Sequence, residues 1–544
     1  MTPMRVRQPA RSGRAQTFCT ALNFRIVDAQ AASIQKKRSR IRSYTEANFE
    51  LPDLSVMFLA HPPLFKALCY VDGKWIHSQD GASIAVHNPC DQQVLDYVPM
   101  LDAGQIASAV DAAHRAQAAW RWLPLKERAR LLHRWGDLIL AHRCDLAKLL
   151  TLEQGKPITQ ARAEIDYAAS FIPWFAAEAG RMNGQNIASH IHDAHIGTLK
   201  EPVGAVALLT PWNFPSAMIT RKAAAALAVG CAVVVKPAHE TPFSALALAQ
   251  LADEAGLPPG VFNVVLGAPR MAMETLVRHP LVKAVSFTGS TRVGQLVSQT
   301  ASAAGVKKVA LELGGNAPFV ITADADLEQA VHIAVEAKFQ ASGQDCCAAN
   351  RIFVQRPLYE EFLTRYTLAV QELRVGPGLL ESSQIGPLMH QAAWDGTAAR
   401  VHDAITRGAR LLTGGTPHSL GGLYYPPTVL ADMTPAMRIY REENFAPISG
   451  VMAFNSLDEV VSLANDTPYG LAAYICATRL DVIWQLMRRI DCAMVAVNGA
   501  SFTGPPIPFG GMKASGLGRE GGQEGFEPFV ETKYFCLSNL GLPI

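Results

Sequence analysis

VGAVALLTPWNFPSAMITRKAAAALAVGCAVVVKP, Val203 to Pro237, sets an apolar strand-like run, a turn, an Ala-rich helical run closed by Gly230 and a second apolar strand in 35 residues. The same alternation continues outward: a helical stretch from Pro242 to Gly256, VFNVV, a short helix, AVSF, a helix from Ser290, and VALEL ending at Leu313. Strands and helices in strict turn imply parallel strands joined by right-handed crossovers, a doubly wound α/β domain of the dinucleotide-binding kind. No G-x-G-x-x-G fingerprint occurs in it. FTGSTRVG offers another phosphate seat, because Gly289 and Ser290 stand between a strand and the next helix, where free backbone N–H groups meet the positive helix end.

Chemistry-bearing residues cluster around this framework. KFQASGQDCCAANR, Lys338 to Arg351, places two adjacent cysteines after a Gly-Gln turn in a small, polar segment, and Cys346 reads as a nucleophile. In LELGGNAP, 34 residues upstream, Glu312 leaves a strand straight into Gly314-Gly315, a good position for a carboxylate at a cleft mouth. In TPWNFP, Asn213 offers a neutral amide donor at a strand end. Thiolate, amide donor and carboxylate suit attack on a carbonyl, stabilisation of the oxyanion and activation of water.

These motifs resemble the aldehyde dehydrogenase superfamily over roughly Phe65 to Leu537. They are most similar to its succinate-semialdehyde dehydrogenase branch, through TLEQGKP at Thr151, PWNFPSAMITRKAAAAL at Pro211 and TPFSALALA at Thr241. The resemblance implies a Rossmann-like cofactor-binding domain (residues 64–186 and 204–314), an α/β catalytic domain (315–510) and a β-strand oligomerisation arm (187–203 and 526–544), assembled as a homodimer or homotetramer. It implies oxidation of an aldehyde to the carboxylate through a thiohemiacetal and thioester on Cys346, with Asn213 at the oxyanion and Glu312 activating water. NAD or NADP is the implied cofactor, held by Trp212, Lys236, Gly289, Ser290, Glu443 and Phe445. His239 replaces the Glu that NAD-preferring relatives carry three residues after the lysine. An imidazole does not repel a 2′-phosphate, so NADP is admissible. Ala446 replaces a more usual Gly, and Asp345 a usual Thr; a carboxylate beside the nucleophile would oppose ionisation, so Asp345 is expected to point away.

For substrate, the branch clamps a distal carboxylate with two arginines and a hydroxyl. Arg181 matches one arginine, Gln340 stands in place of the other, and Ser501 or Thr503 supplies the hydroxyl, while Phe171, Trp174, Phe175, Phe214 and Phe509 are expected to line an aromatic tunnel. Succinate semialdehyde or a related semialdehyde is the expected substrate. The alternatives are a larger aromatic or non-acidic aldehyde, a CoA-acylating enzyme, or a non-catalytic relative. Cys347 is a candidate redox partner of Cys346, though a vicinal disulfide would be strained.

Composition sets outer bounds. The 544 residues, 49% hydrophobic and 18% charged with net charge +2, carry no block of charge suited to nucleic acid or an anionic membrane surface. The longest apolar run, Ala223 to Val235, is 13 residues against the roughly 20 needed to span a bilayer. Ten cysteines without a C-x-x-C pair fit a reducing compartment, and the expected location is cytoplasmic. Residues 1–63 lie outside the resemblance and carry five arginines before the first acid; they are read as a disordered N-terminal extension or a start placed too far upstream of Met57, with a transit peptide, and hence a mitochondrial location, as the alternative. YVDGKW and VHNPCDQQVL read as an opening hairpin turning at Asp72-Gly73. Asp102 caps a first helix with apolar positions Ile106, Val110, Ala113 and Trp120, and a second carries Leu131 to Leu149. SHIHDAH is the nearest approach to a metal motif, with His190 and His192 on one strand face, and is read as a connector rather than a metal site.

Overall fold

The computed structural model describes residues 59–538; the expectations placed on residues 1–58 and 539–544 lie outside them. The alternation after Val203 folds as expected. Strands Ala205–Leu209, Ala232–Lys236, Phe262–Val264, Val282–Thr288 and Lys308–Glu312 are parallel. The chain begins at the central strand Ala205–Leu209, moves outward through Ala232–Lys236 and Phe262–Val264, then returns to add Val282–Thr288 and Lys308–Glu312 on the other side. This reversal creates a switch point at the carboxyl ends of Ala205–Leu209 and Val282–Thr288, where ligands of open α/β sheets bind. Glycines end two of the crossover helices, Gly230 at φ 102 after Ala217–Val229 and Gly256 at φ 85 after Pro242–Ala255.

The edge of this eight-stranded sheet is a hairpin, Cys69–Val71 with Lys74–Ile76, turning at Asp72 (φ 52) and Gly73 (φ 75). VHNPCDQQVL does not pair with it; Ser83–His87 and Val94–Pro99 form a separate two-stranded sheet. Asp102 caps Ala103–Trp120 in a reciprocal capping box with Gln105, and the four predicted apolar positions are buried. The predicted second helix is two, Leu125–Ala141 and Arg143–Gln154, because His142 leaves helical geometry between them.

A second sheet of seven strands spans Ala317–Ile321 to Met494–Val497, with only the edge strand Arg410–Thr413 antiparallel. A third sheet joins the two segments expected to form the arm. Val530–Ser538 pairs with Ala194–Pro202 from Pro202 opposite Val530 to Ala194 opposite Ser538, and Asn186–Ile187 adds a short third strand. His190 and His192 lie in the exposed turn before Ala194 rather than on a strand. No helix of the described residues is long and apolar enough to cross a membrane, and Cys346 and Cys347 are free thiols.

Candidate active site

Three loops at the carboxyl edge of the eight-stranded sheet, after Ala205–Leu209, Val282–Thr288 and Lys308–Glu312, converge on the loop that precedes strand Ala349–Gln355 of the other sheet. Between them lies a cavity of about 520 Å³, lined by Asn213, Cys346, Trp212, Phe214, Gly289, Ser290, Gly314, Gln340, Glu443, Phe445, Ser501, Thr503 and Phe509 among others. Twelve of the nineteen residues expected in the site from sequence therefore share one cavity, and Glu312 directly precedes its lining residues Leu313 and Gly314.

The cysteine loop is held in an unusual conformation. Ala341 (φ 51), Ser342 (φ 59) and Gly343 (φ 71) are successive left-handed residues, two of them without glycine's freedom, so tertiary anchors must hold the loop. The Ser342 hydroxyl accepts from Gly386 N–H at 2.9 Å, Gln344 Oε1 accepts from Met389 N–H at 3.0 Å, and Gln160 Oε1 accepts from Ala341 N–H at 2.8 Å. Asn213 donates from Nδ2 to the Gln344 carbonyl at 3.1 Å, which ties the amide to the cysteine loop and leaves its second N–H for the cavity.

Half-buried Cys346 turns its sulfur to within 4.0 Å of the buried Cys347 sulfur. The neighbouring thiol, burial, and the carboxyls of Glu312 and Asp345 all hold the Cys346 thiol well above its usual range. Asp345 does not point away. It lines the cavity, its Oδ1 accepts from Cys347 N–H at 2.9 Å, and burial raises its own pKa. The correction has a simple cause: a loop has no strand alternation to alternate side chains between faces, and the Cys347 amide draws the carboxylate inward.

Glu312 is buried with neither carboxylate oxygen hydrogen-bonded among the described residues. Burial and Glu520 push its pKa well up, against the pull of Arg221 and Lys222. The two glycines after it are demanded by close approach. A Cβ at Gly314 would sit 2.7 Å from Glu443, and one at Gly315 would collide with the Cys346 carbonyl oxygen. Glu443 accepts from Gly315 N–H at 2.9 Å, and burial lifts its pKa to about 7. Phe445 packs edge-on against Trp212, 5.6 Å between centroids.

Lys236 and His239 stand at the end of strand Ala232–Lys236, outside the cavity lining. Lys236 meets no carboxylate within 4.0 Å among the described residues and donates only to the Pro237 carbonyl at 3.1 Å, whereas His239 Nδ1 lies 3.4 Å from Glu240. Ser290 caps helix Thr291–Ala303 through Val293 N–H. The Gly289 N–H is not free, since it donates to the Glu312 carbonyl at 3.0 Å; the free donors at this seat are the first-turn amides beyond Ser290.

The predicted substrate residues divide. Phe214, Gln340, Ser501, Thr503 and Phe509 line the cavity. Arg181 does not: its side chain is 65% exposed and pairs with Glu178 at 2.7 Å, three residues back along the chain. Phe171 and Phe175 are core residues, packing against Tyr167 and Phe526, and half-buried Trp174 packs on the same core.

The arginine that does face the cavity is Arg221, which sequence reasoning passed over. It is fully buried in helix Ala217–Val229, stacks over Phe509 at 4.1 Å, and lies near Tyr167, whose hydroxyl also faces Thr503. Arg221 and Lys222 share one carboxylate, Glu520, the first at 2.8 Å. Burial works against the Arg221 charge, but Glu520, Tyr167 and Glu312 outweigh it and hold its pKa above the usual value. Two cations on one carboxylate leave surplus positive charge beside the cavity. Two adjacent cations in an otherwise Ala-rich helical run were the signal available in the sequence; the burial of that helix from Ala217 to Ala228 is seen in the structure. Lys156 was missed as well; its ammonium bonds Glu164 at 2.5 Å and the Asn213 carbonyl at 2.8 Å, and lies 3.7 Å from the Phe214 ring centroid.

Fold and family together define an oxidoreductase. The chain belongs to the aldehyde dehydrogenase family, whose model matches residues 75–535. It is 51% identical over 478 residues to a non-phosphorylating aspartate-semialdehyde dehydrogenase of Halomonas elongata, covering 88% of this chain and 97% of that protein. It is 46% identical over 475 residues to an NADP(+) succinate-semialdehyde dehydrogenase of Escherichia coli K12, covering 87% and 98%. A crystal structure described as an E. coli NADP-dependent enzyme superposes with a TM-score of 0.88 at 44% identity, covering 89% of this chain and all of that one.

Proposed function

We propose that this enzyme oxidises a short semialdehyde, an aldehyde with a distal carboxylate, to the dicarboxylate, and that it uses NADP as well as NAD. The observation that carries the substrate class is Arg221, a buried guanidinium with surplus positive charge in the same cavity as Cys346. Its cation, with the Tyr167 and Thr503 hydroxyls, suits a carboxylate. The relatives named above act on semialdehydes, which supports the same class.

In this reading the Cys346 thiol loses its proton and its sulfur bonds the carbonyl carbon. The second Asn213 N–H and the Cys346 backbone amide hold the oxyanion. Trp212, Glu443 and Phe445 would hold a nicotinamide cofactor, which would supply the hydride acceptor for this oxidation. Water then attacks the thioester while Glu312 takes its proton, and the sulfur leaves as the thiolate, to which Glu312 returns that proton. The orphaned, high-pKa carboxylate of Glu312 suits a base that must be neutral in one step and charged in another.

The donor set fits the cofactor. The amides beyond Ser290 and the positive end of helix Thr291–Ala303 suit the pyrophosphate, Glu443 a ribose diol and Trp212 with Phe445 the ring edge. The unpaired Lys236 and the imidazole of His239 suit an adenosine ribose with or without a 2′-phosphate. We assign residues 64–186 and 204–314 to cofactor binding and 315–510 to catalysis. Residues 187–203 and 526–538 form the arm. Leu199, Tyr534 and Leu537 are exposed apolar residues on its two long strands, and Val530–Ser538 forms the sheet's outer edge, so we assign the arm to pairing with a second copy.

A second reading rests on exposed Glu336 at the cavity lining beside Gln340, which suits an ammonium and hence an amino-acid semialdehyde. Steady-state rates for succinate semialdehyde, its 2-amino analogue and an uncharged aldehyde of equal length, each with NAD and NADP, separate these readings. Arg221→Met should lower kcat/KM for both acidic aldehydes by about ten- to a hundred-fold, the worth of one charge-assisted hydrogen bond, and spare the uncharged one. Equal loss on all three removes the clamp. A rate seen only with coenzyme A present would make the enzyme acylating.

A further inference from the structure

Asp345, Cys346 and Cys347 bring one carboxylate oxygen and two sulfurs within 4.8 Å of one another on the cavity floor. We propose that these three side chains form a binding site for a thiophilic divalent cation of the Zn2+ class, and that its occupancy reversibly masks the nucleophile. The regulatory part rests on the reading of Cys346 as nucleophile; the binding part does not.

The geometry is already close to a metal chelate. Tetrahedral zinc with Zn–S bonds of about 2.3 Å separates its two sulfurs by roughly 3.8 Å, and here they stand 4.0 Å apart. Asp345 takes the Cys347 N–H on Oδ1 at 2.9 Å, which fixes the carboxylate while leaving Oδ2 for the ion. The Cys347 carbonyl is in turn held by the Tyr474 hydroxyl at 2.9 Å, so the ligands are oriented from behind as metal ligands usually are. Asp345 and both cysteines line the cavity, which gives the ion an entry path and leaves the fourth position to water.

The same arrangement explains two residues that the oxidation chemistry does not use. Cys347 has no step in the reaction, and the inward Asp345 raises the thiol pKa of the nucleophile, a cost to catalysis. Both acquire a use as ligands. Binding is a proton exchange: Zn2+ displaces one proton from each thiol, and two thiolates with one carboxylate more than neutralise its charge. Hard cations such as Mg2+ and Ca2+ prefer oxygen ligands and should not compete.

Two measurements on the full-length enzyme test this. Co2+ added to the metal-free protein should give one equivalent of a sulfur-to-cobalt charge-transfer band that Zn2+ bleaches. Zn2+ should inhibit turnover, with recovery on addition of EDTA, while Mg2+ does neither. Cys347→Ala should lose the band and weaken Zn2+ inhibition at least about a hundred-fold, and Asp345→Asn about ten- to a hundred-fold. The other three-ligand group among the described residues, His61, His142 and Glu254, is the control, and His61→Ala/His142→Ala should keep the band. An undiminished band or undiminished inhibition in Cys347→Ala, or a wild-type enzyme that shows neither band nor inhibition, overturns the proposal. A band without any enzymatic turnover would instead break the functional reading and leave the site standing.

Discussion

Glu164 and Glu312 are both buried beside the same cavity, and their surroundings are opposite. Glu164 Oε2 accepts from the Lys156 ammonium at 2.5 Å, and Oε1 accepts from Ser216 N–H at 3.1 Å and Ala217 N–H at 3.4 Å, where helix Ala217–Val229 begins. Every demand of a buried carboxylate is met there. Glu312 sits at the end of a strand with no partner on either oxygen. The first carboxylate is placed to hold helix, Lys156 and the Asn213 carbonyl in one rigid corner; the second is left poised to gain or lose a proton.

The sulfur between these corners carries the largest expected effect. Cys346→Ser should lower kcat by on the order of 10^4-fold or more, with binding of NADP, read by fluorescence, kept. Residual turnover within tenfold of wild type would move the nucleophile elsewhere. Next, the two acids should separate by type of damage. Glu312→Gln should lose about 10^2- to 10^4-fold in steady-state rate with an intact fold. Glu164→Gln should instead destabilise by about 3 to 5 kcal/mol, because Lys156 stays buried without its counter-charge; a lower thermal midpoint checks it. If Glu164→Gln unfolds no sooner than wild type while Glu312→Gln does, the contrast is reversed.

A smaller effect concerns pH. The Glu312 pKa in the folded chain is raised above its unfolded value of about 4.3, so the folded state holds a proton that the unfolded state releases. Its contribution to stability is fully present below about pH 4.3 and is lost as pH rises through the folded value. Gln cannot ionise, so Glu312→Gln should match wild type near pH 4 and become the more stable of the two as pH rises. Thermal midpoints of both proteins from pH 4 to 9 measure this; parallel curves would mean that Glu312 is paired after all.

Sequence alone reached much of this arrangement, unevenly. The parallel sheet was readable because its strands are short apolar runs with glycine-stopped helices between them, whereas Cys346, Asn213 and Glu312 were singled out by motifs that resemble the family, since a lone cysteine, amide or acid at a turn reads as core, cap or surface residue. Arg221 was hidden in an Ala-rich helix in which a charged pair reads as a solvated face; only packing on both sides showed it buried. Arg181 misled because an arginine near a helix end pairs as readily with its own helix, here Glu178, as with a ligand. Asp345 misled because side-chain direction in a loop follows local hydrogen bonds that no periodicity records.

The most direct test of the central claim is a single-turnover experiment on Glu312→Gln with succinate semialdehyde and NADP. The account predicts a burst of one NADPH per active site, followed by near arrest, with intact-mass analysis finding one acyl group on Cys346. Steady turnover without a burst, or arrest with no adduct on that cysteine, would contradict it.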